Sequence, residues 1–337
     1  MTTITHFKLQ KFQALWLGLV ILSVLTEYFL FKLNLNKQIG IFIFLTLTLG
    51  MYHGLLDVIL LKEHQQTLKN ITVISPILVY LAVVIISLCI FKLLPFITIP
   101  ILLVITVWHF GELQGELQRE QQGKYTSSYT QHYTTRLMTG GASISLPFFL
   151  AFKQLDQLLQ MMLVDKLSYY SAILVWQIIS YAWLIALSCY LVCWLLMALL
   201  TAFKFDLCKY TNAASTIKNT LNIKQFTELC ILLLSFYFLP LLLAFTLYFA
   251  AYHAVQHIAD IHREHRIHWF LQPILIVSLA TLVLLVAAFY VFPTPQHLTP
   301  SVLKYPVSIL SGIIALLTAI TIPHATLIST WRAKLIK

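Results

Sequence analysis

Apolar runs of about twenty residues recur along this chain, and no other feature restricts its fold so tightly. Crossing the ~30 Å hydrocarbon core of a bilayer takes about 20 apolar residues in helical form. Stretches of that kind lie at 12–31, 39–61, 71–94, 96–112, 169–200, 226–258, 270–292 and 306–329. Of the 337 residues, 59% are hydrophobic and only 10% charged, against the ~25% charged residues of an ordinary soluble domain. Too few polar side chains remain to cover a water-soluble body of this size. The composition excludes a soluble enzyme, a disordered protein and a nucleic-acid binder. The expected fold is all-α: one integral membrane domain over 1–337, a multi-pass bundle of about eight spanning helices.

Two of the runs, 169–200 and 226–258, exceed the length of a simple crossing and are expected to tilt, kink or project. A further stretch, 137–152, is apolar but short, opens on Gly140-Gly141 and contains Pro147; it is read as non-spanning. With eight crossings both termini are expected in the cytoplasm, at the cell membrane. Fourteen of the 22 Lys and Arg then fall on the inside, the bias that basic loops impose on orientation. The net charge of +10 is accounted for by loops facing anionic lipid rather than by a nucleic acid. The five cysteines form no CxxC pair, so neither a disulfide framework nor a zinc site is indicated. The run from Phe12 to Phe31 lacks a small-residue cleavage site and is expected to stay as the first helix.

Twelve histidines in so apolar a chain need individual readings. His6, His64, His132 and His297 fall in tails or polar loops, and His262, His265 and His268 in a charged stretch read as a cytoplasmic loop. The other five lie inside or at the ends of spans: His53, His109, His253, His257 and His324. An ionisable group there is expensive and marks a functional site by default. His253 and His257 are i, i+4, so their imidazoles share a helix face, a spacing that suits two ligands of one metal. Asp57 stands four residues after His53 and Glu112 three after His109. Each is placed to accept the second ring N–H of a ligating histidine. In the eight-span topology all five histidines fall toward the cytoplasmic side. An all-imidazole donor set suits Fe, Zn, Cu or Ni, and ligand type alone does not choose among them.

The segments His53-Gly54 with Asp57, Trp108-His109-Phe110-Gly111-Glu112, the His253/His257 pair and Pro323-His324 resemble, in order, those of the Brp/Blh family of membrane-bound β-carotene dioxygenases. The resemblance implies splitting of β-carotene by O2 at its central double bond into two retinals. It implies a non-haem Fe(2+) held by four histidines, which map onto His53, His109, His253 and His257. Asp57 and Glu112 would orient those ligands, and His324 would line the substrate pocket. Tyr52, Trp108, Phe110, Phe249 and Tyr252 are expected to pack against the flat polyene, which arrives dissolved in membrane lipid. The product is one that a retinal-binding membrane protein can take over.

Three other functions compete. A di-iron desaturase or hydroxylase needs a larger set of histidines in several boxes, and only one HxxxH is present here. A haem-b electron-transfer protein needs two facing histidines and leaves the others unexplained. A transporter using intramembrane His, Asp and Glu as a proton relay works without metal.

Overall fold

The computed structural model describes residues 2–30, 32–57, 76–122, 129–163, 166–202, 223–265 and 304–335. Helices account for almost all of them, and no strand occurs among the described residues. The expected span 270–292, and His64, His268 and His297, lie outside them.

The first helix, α1 (Thr2–Leu25), ends in a π-helical turn at Thr26–Leu30. The next rod runs without a break through α2 (Leu35–Leu45), a π-helical turn (Thr46–Gly50) and α3 (Met51–Leu55). Its N-terminus is capped by the Asn34 side chain, which accepts from the Lys37 N–H at 3.0 Å. Then follow α4 (Pro76–Leu93) and α5 (Pro95–Gln122), each beginning on a proline, where a missing N–H costs no helical hydrogen bond. After them come α6 (Tyr129–Leu150), α7 (Phe152–Met162) and α8 (Lys166–Ala202). The last are α9 (Ile223–Phe238), α10 (Leu241–Thr246), a π-helical segment (Leu247–Ala254), α11 (Val255–His265) and α12 (Lys304–Leu335).

Among the described residues, five helical stretches are long and apolar enough to cross a membrane: Phe12–Leu30, Leu35–Gly54, Lys166–Val192, Leu241–Ala259 and Leu310–Ser329. Shorter apolar helices cover Leu78–Leu93, Pro95–Gly111, Leu137–Leu150 and Phe226–Phe238. The stretch 226–258, read from sequence as one long run, is two helices. Pro240 sits between them in an extended conformation (φ −56°, ψ 142°) and starts α10 anew. A proline lacks the N–H that a continuous helix needs at this point.

Large apolar side chains on α1, α4 and α8, among them Ile21, Ile85, Leu174 and Ile185, are exposed. Outward apolar faces of this extent need lipid rather than water. The stretch Leu241–Ala259 is 83% buried, against 17% for Phe12–Leu30 and Lys166–Val192, so it is the central helix of the bundle. The short α7 is amphipathic, with Leu155 and Leu159 buried while Lys153, Gln154 and Gln157 are exposed. Its Gln154 Oε1 accepts from the Leu241 N–H at 2.7 Å, which caps α10 where the chain restarts after Pro240.

The closest helix approach is set by Gly140 and Gly141 on α6. A Cβ on Gly140 would stand 1.8 Å from the Val107 carbonyl oxygen of α5, and one on Gly141 would stand 2.3 Å from the Trp183 ring of α8. Small residues allow backbones to meet at this distance inside a membrane. Indole N–H groups of α8 then reach the α6 backbone: Trp183 donates to Met138 O at 2.9 Å and Trp176 to Ile144 O at 2.6 Å. Gly140→Ala must push α5 from α6, displacing the turn that carries His109. It is expected to lower the thermal midpoint of the detergent-solubilised protein. Gly40→Ala, at a site with nothing within 4 Å, is expected to leave the midpoint unchanged or raise it, since alanine favours a helix by about 1 kcal/mol over glycine.

Candidate metal centre and cavity

Five helical segments each bring one histidine to the same place. His53 comes from α3, His109 from α5, His253 from the π-helical segment, His257 from α11 and His324 from α12. All five are buried, none more than 6% exposed. His53, His109 and His253 form the tightest group, each offering one ring nitrogen such that all three lie within 4.8 Å of one another. Nε2 of His253 and Nε2 of His109 are 3.3 Å apart. His257 packs around this group with ring centroids 5.7 Å from His53 and 6.3 Å from both His109 and His253. The His324 ring stands edge-on at 4.8 Å from His53 and again at 4.8 Å from His109.

These residues fit a metal ion. Nitrogen donors ~2.1 Å from one ion, at a roughly tetrahedral angle, stand about 3.4 Å apart, close to the His109–His253 separation. Every donor is an imidazole, which binds a divalent ion through an unprotonated ring nitrogen. His53 Nδ1–H donates to the Gly50 carbonyl one turn back, which leaves the Nε2 lone pair as the ligating atom.

Local geometry explains the convergence. Gly50 closes the π-helical turn before His53, and a Cβ there would meet the Phe249 ring at 2.8 Å, so only glycine lets the two rods touch at this level. The second π-helical segment, Leu247–Ala254, carries His253. Insertions of this kind change the phase of a helix and are frequent at functional sites.

The Asp57 carboxylate is placed differently from its expected role as partner of His53. Both its oxygens face Nδ1 of His324, at 2.8 and 2.9 Å, and its Oδ2 also accepts from the Tyr80 hydroxyl at 2.7 Å. His53 has used its Nδ1–H on its own helix. Glu112 stands on α5 three residues beyond His109, and its side chain lies outside the described residues.

A cavity of about 430 Å³ opens beside the histidines, with His53, His109 and His324 in its wall. Pockets for small organic molecules fall in this size range. Most of the rest of the wall is Leu, Ile, Val, Met and Phe, joined by Asp57, Tyr80, Trp176 and a few hydroxyls. A ladder of rings runs along it from Phe42 to Phe245 to Phe249 to His53, with centroid steps of 6.4, 5.8 and 5.8 Å. Of the aromatic residues expected in the pocket, Phe110 and Phe249 line the cavity, as does His324. Tyr52, Trp108 and Tyr252 do not. Each immediately precedes a clustered histidine and is rotated from it by ~100° to one side, whereas Phe110 follows His109 and is rotated to the other. Tyr52 therefore packs with Met51, Leu56, Ile258 and Ile261, while Tyr252 turns toward α1 and stacks on Trp16 at 4.2 Å. Phe249 precedes His253 by four and so shares its face.

Sequence reading missed two residues. Tyr80 is hidden in the apolar run of α4, with no local sign that its hydroxyl reaches Asp57. Glu228 on α9 is 1% exposed and hydrogen-bonds to the Tyr252 hydroxyl, which also bonds to Gln13. An acid inside an apolar run was the signal available for it.

A buried cluster of imidazoles beside an apolar cavity, inside an all-α bundle with lipid-type outer faces, defines a class: a membrane-embedded enzyme acting on a hydrocarbon-like substrate. The chain belongs to the beta-carotene 15,15'-dioxygenase family, whose model matches residues 44–332. It is thus a carotenoid-cleaving dioxygenase. No curated protein and no solved structure matches it. Four of the five clustered histidines were expected as metal ligands and the fifth as pocket lining, and all five fall within the matched region.

Removing the Tyr80 hydroxyl deprives the buried Asp57 carboxylate of one of its hydrogen bonds. Hydrogen bonds to charged groups contribute ~1.5–3 kcal/mol. Tyr80→Phe is expected to destabilise the solubilised protein by about that amount, read from its thermal or denaturant midpoint.

Proposed function

We propose that this dioxygenase is iron-dependent and cleaves β-carotene at its central double bond with O2 to give two retinals. The observation that carries the reading is the convergence of His53, His109 and His253 ring nitrogens within 4.8 Å, at the wall of an apolar cavity, in a chain matched by this family over residues 44–332. His53, His109, His253 and His257 are the proposed ligands of Fe(2+). Asp57 supports the site through His324, and Glu112, three residues after His109 in sequence, is assigned the role of orienting that ligand. Iron, when bound, supplies the activation of O2.

The chain's own contribution is position and exclusion. Phe42, Phe245 and Phe249 give a flat conjugated chain a continuous ring surface leading to His53. Phe110, 4.7 Å from the His253 ring, closes the other flank. Holding one double bond beside the histidines removes the entropic barrier to a specific cleavage. The apolar wall keeps water from reactive species. Each retinal takes one oxygen atom, so the reaction balances without an external reductant. The substrate is insoluble in water, and an enzyme seated in the cell membrane takes it from lipid directly. The N- and C-termini are proposed to face the cytoplasm. A retinal-binding membrane protein is a natural acceptor of the product.

Two measurements test this. Elemental analysis of the purified chain is expected to give close to one iron per protein and near-complete loss in His253→Ala. Retention of iron by that variant would place the metal elsewhere, and full cleavage activity of metal-free protein would overturn iron dependence. Solubilised protein given Fe(II), O2 and β-carotene is expected to yield retinal in a two-to-one ratio to the carotene consumed. Dependence on an NADPH-driven donor, or longer apocarotenals without retinal, would overturn central cleavage.

A further inference from the structure

The expected role of His324 was to line the pocket, yet its surroundings are those of a prepared ligand. Its Nδ1 lies 2.8 and 2.9 Å from the two oxygens of Asp57. With Nδ1–H donating to the carboxylate, the neutral ring presents its Nε2 lone pair on the other side. That Nε2 is buried and has no hydrogen-bond partner among the described residues. A buried polar atom without a partner is costly and calls for an explanation. The ring stands 4.8 Å from both His53 and His109, nearer than His257 stands to either, at 5.7 and 6.3 Å.

Charge points the same way. Asp57 is 1% exposed, and among the described residues its partners are His324 and the Tyr80 hydroxyl, with no Lys or Arg. A buried carboxylate and a divalent ion held by neutral imidazoles are each unfavourable alone, and each offsets the other when one ring separates them. The carboxylate–histidine pairing is also the arrangement by which proteins fix the tautomer and raise the basicity of a metal ligand.

We propose that His324 Nε2 is a further nitrogen donor to the metal bound by His53, His109 and His253, with Asp57 fixing its tautomer and Tyr80 holding Asp57. This rests on the metal-centre reading above and adds to it a ligand from α12, 267 residues from its carboxylate partner.

The test uses the full-length chain in detergent, loaded with Co(II) as a spectroscopic probe and with Fe(II). Metal affinity is measured by chelator competition, and the environment of the metal by the visible ligand-field bands of the cobalt protein. His324→Ala and Asp57→Asn are each expected to weaken binding by roughly 10–100-fold, the usual cost of losing such a partner, and to shift the cobalt bands. Added imidazole is expected to return the His324→Ala spectrum toward wild type. Asp57→Asn keeps the ring and the side-chain volume, so it decides the matter if His324→Ala does not fold. Wild-type affinity and wild-type bands in the folded variants would overturn this inference alone and leave His324 as pocket lining. A wild-type chain that binds neither metal would overturn the metal centre itself.

Discussion

Burying five imidazoles and a carboxylate in the middle of an apolar bundle is the constraint to which the rest of this structure answers. Each group is expensive there unless it is neutral, hydrogen-bonded or held against a cation. His53 meets the requirement with its own Gly50 carbonyl, and His324 and Asp57 meet it with one another. Ring nitrogens of His53, His109 and His253 lie within 4.8 Å of one another, and Nε2 of His253 stands 3.3 Å from Nε2 of His109.

Holding five separate segments in register takes close packing, and the bundle obtains it with small residues and aromatic wedges. Gly140 and Gly141 let α6 touch α5 and α8, and Gly50 admits Phe249. Behind the His253 segment, on the face away from the cavity, Tyr252 stacks on Trp16 while Glu228 and Gln13 meet its hydroxyl. Trp16 and Gln13 belong to α1, which precedes the matched region beginning at residue 44. A helix outside the family's matched extent thus braces the segment that carries a proposed ligand.

The cavity explains why such a centre belongs in a membrane. Its wall is apolar apart from the histidines, Asp57, Tyr80 and a few hydroxyls, so it suits a hydrocarbon chain and offers little to a polar metabolite. The amphipathic α7 contributes Leu155, Leu158 and Leu159 to that wall and keeps Lys153 and Gln157 outside. One short helix therefore forms part of the substrate compartment and an outward polar edge together.

Much was legible before the structure, for reasons of composition and local geometry. Apolar runs specify an all-α bundle because a lipid environment forces backbone polar groups to pair within each segment. Five histidines inside such runs mark a site because ionisable groups are costly there, and the i, i+4 rule puts His253 and His257 on one face. Relations between distant segments were not legible. That Asp57 belongs to His324 and not to His53 depends on how α12 packs against the end of α3. That Tyr80 joins them depends on α4, and that Tyr52, Trp108 and Tyr252 turn from the cavity depends on helix phase, which π-helical turns shift without a clear sequence mark. The sequence by itself determined the lipid-type surface and the chemistry of the donors. Tertiary structure alone decided which nitrogens converge and which carboxylate steadies them, because those contacts join residues that the chain keeps far apart.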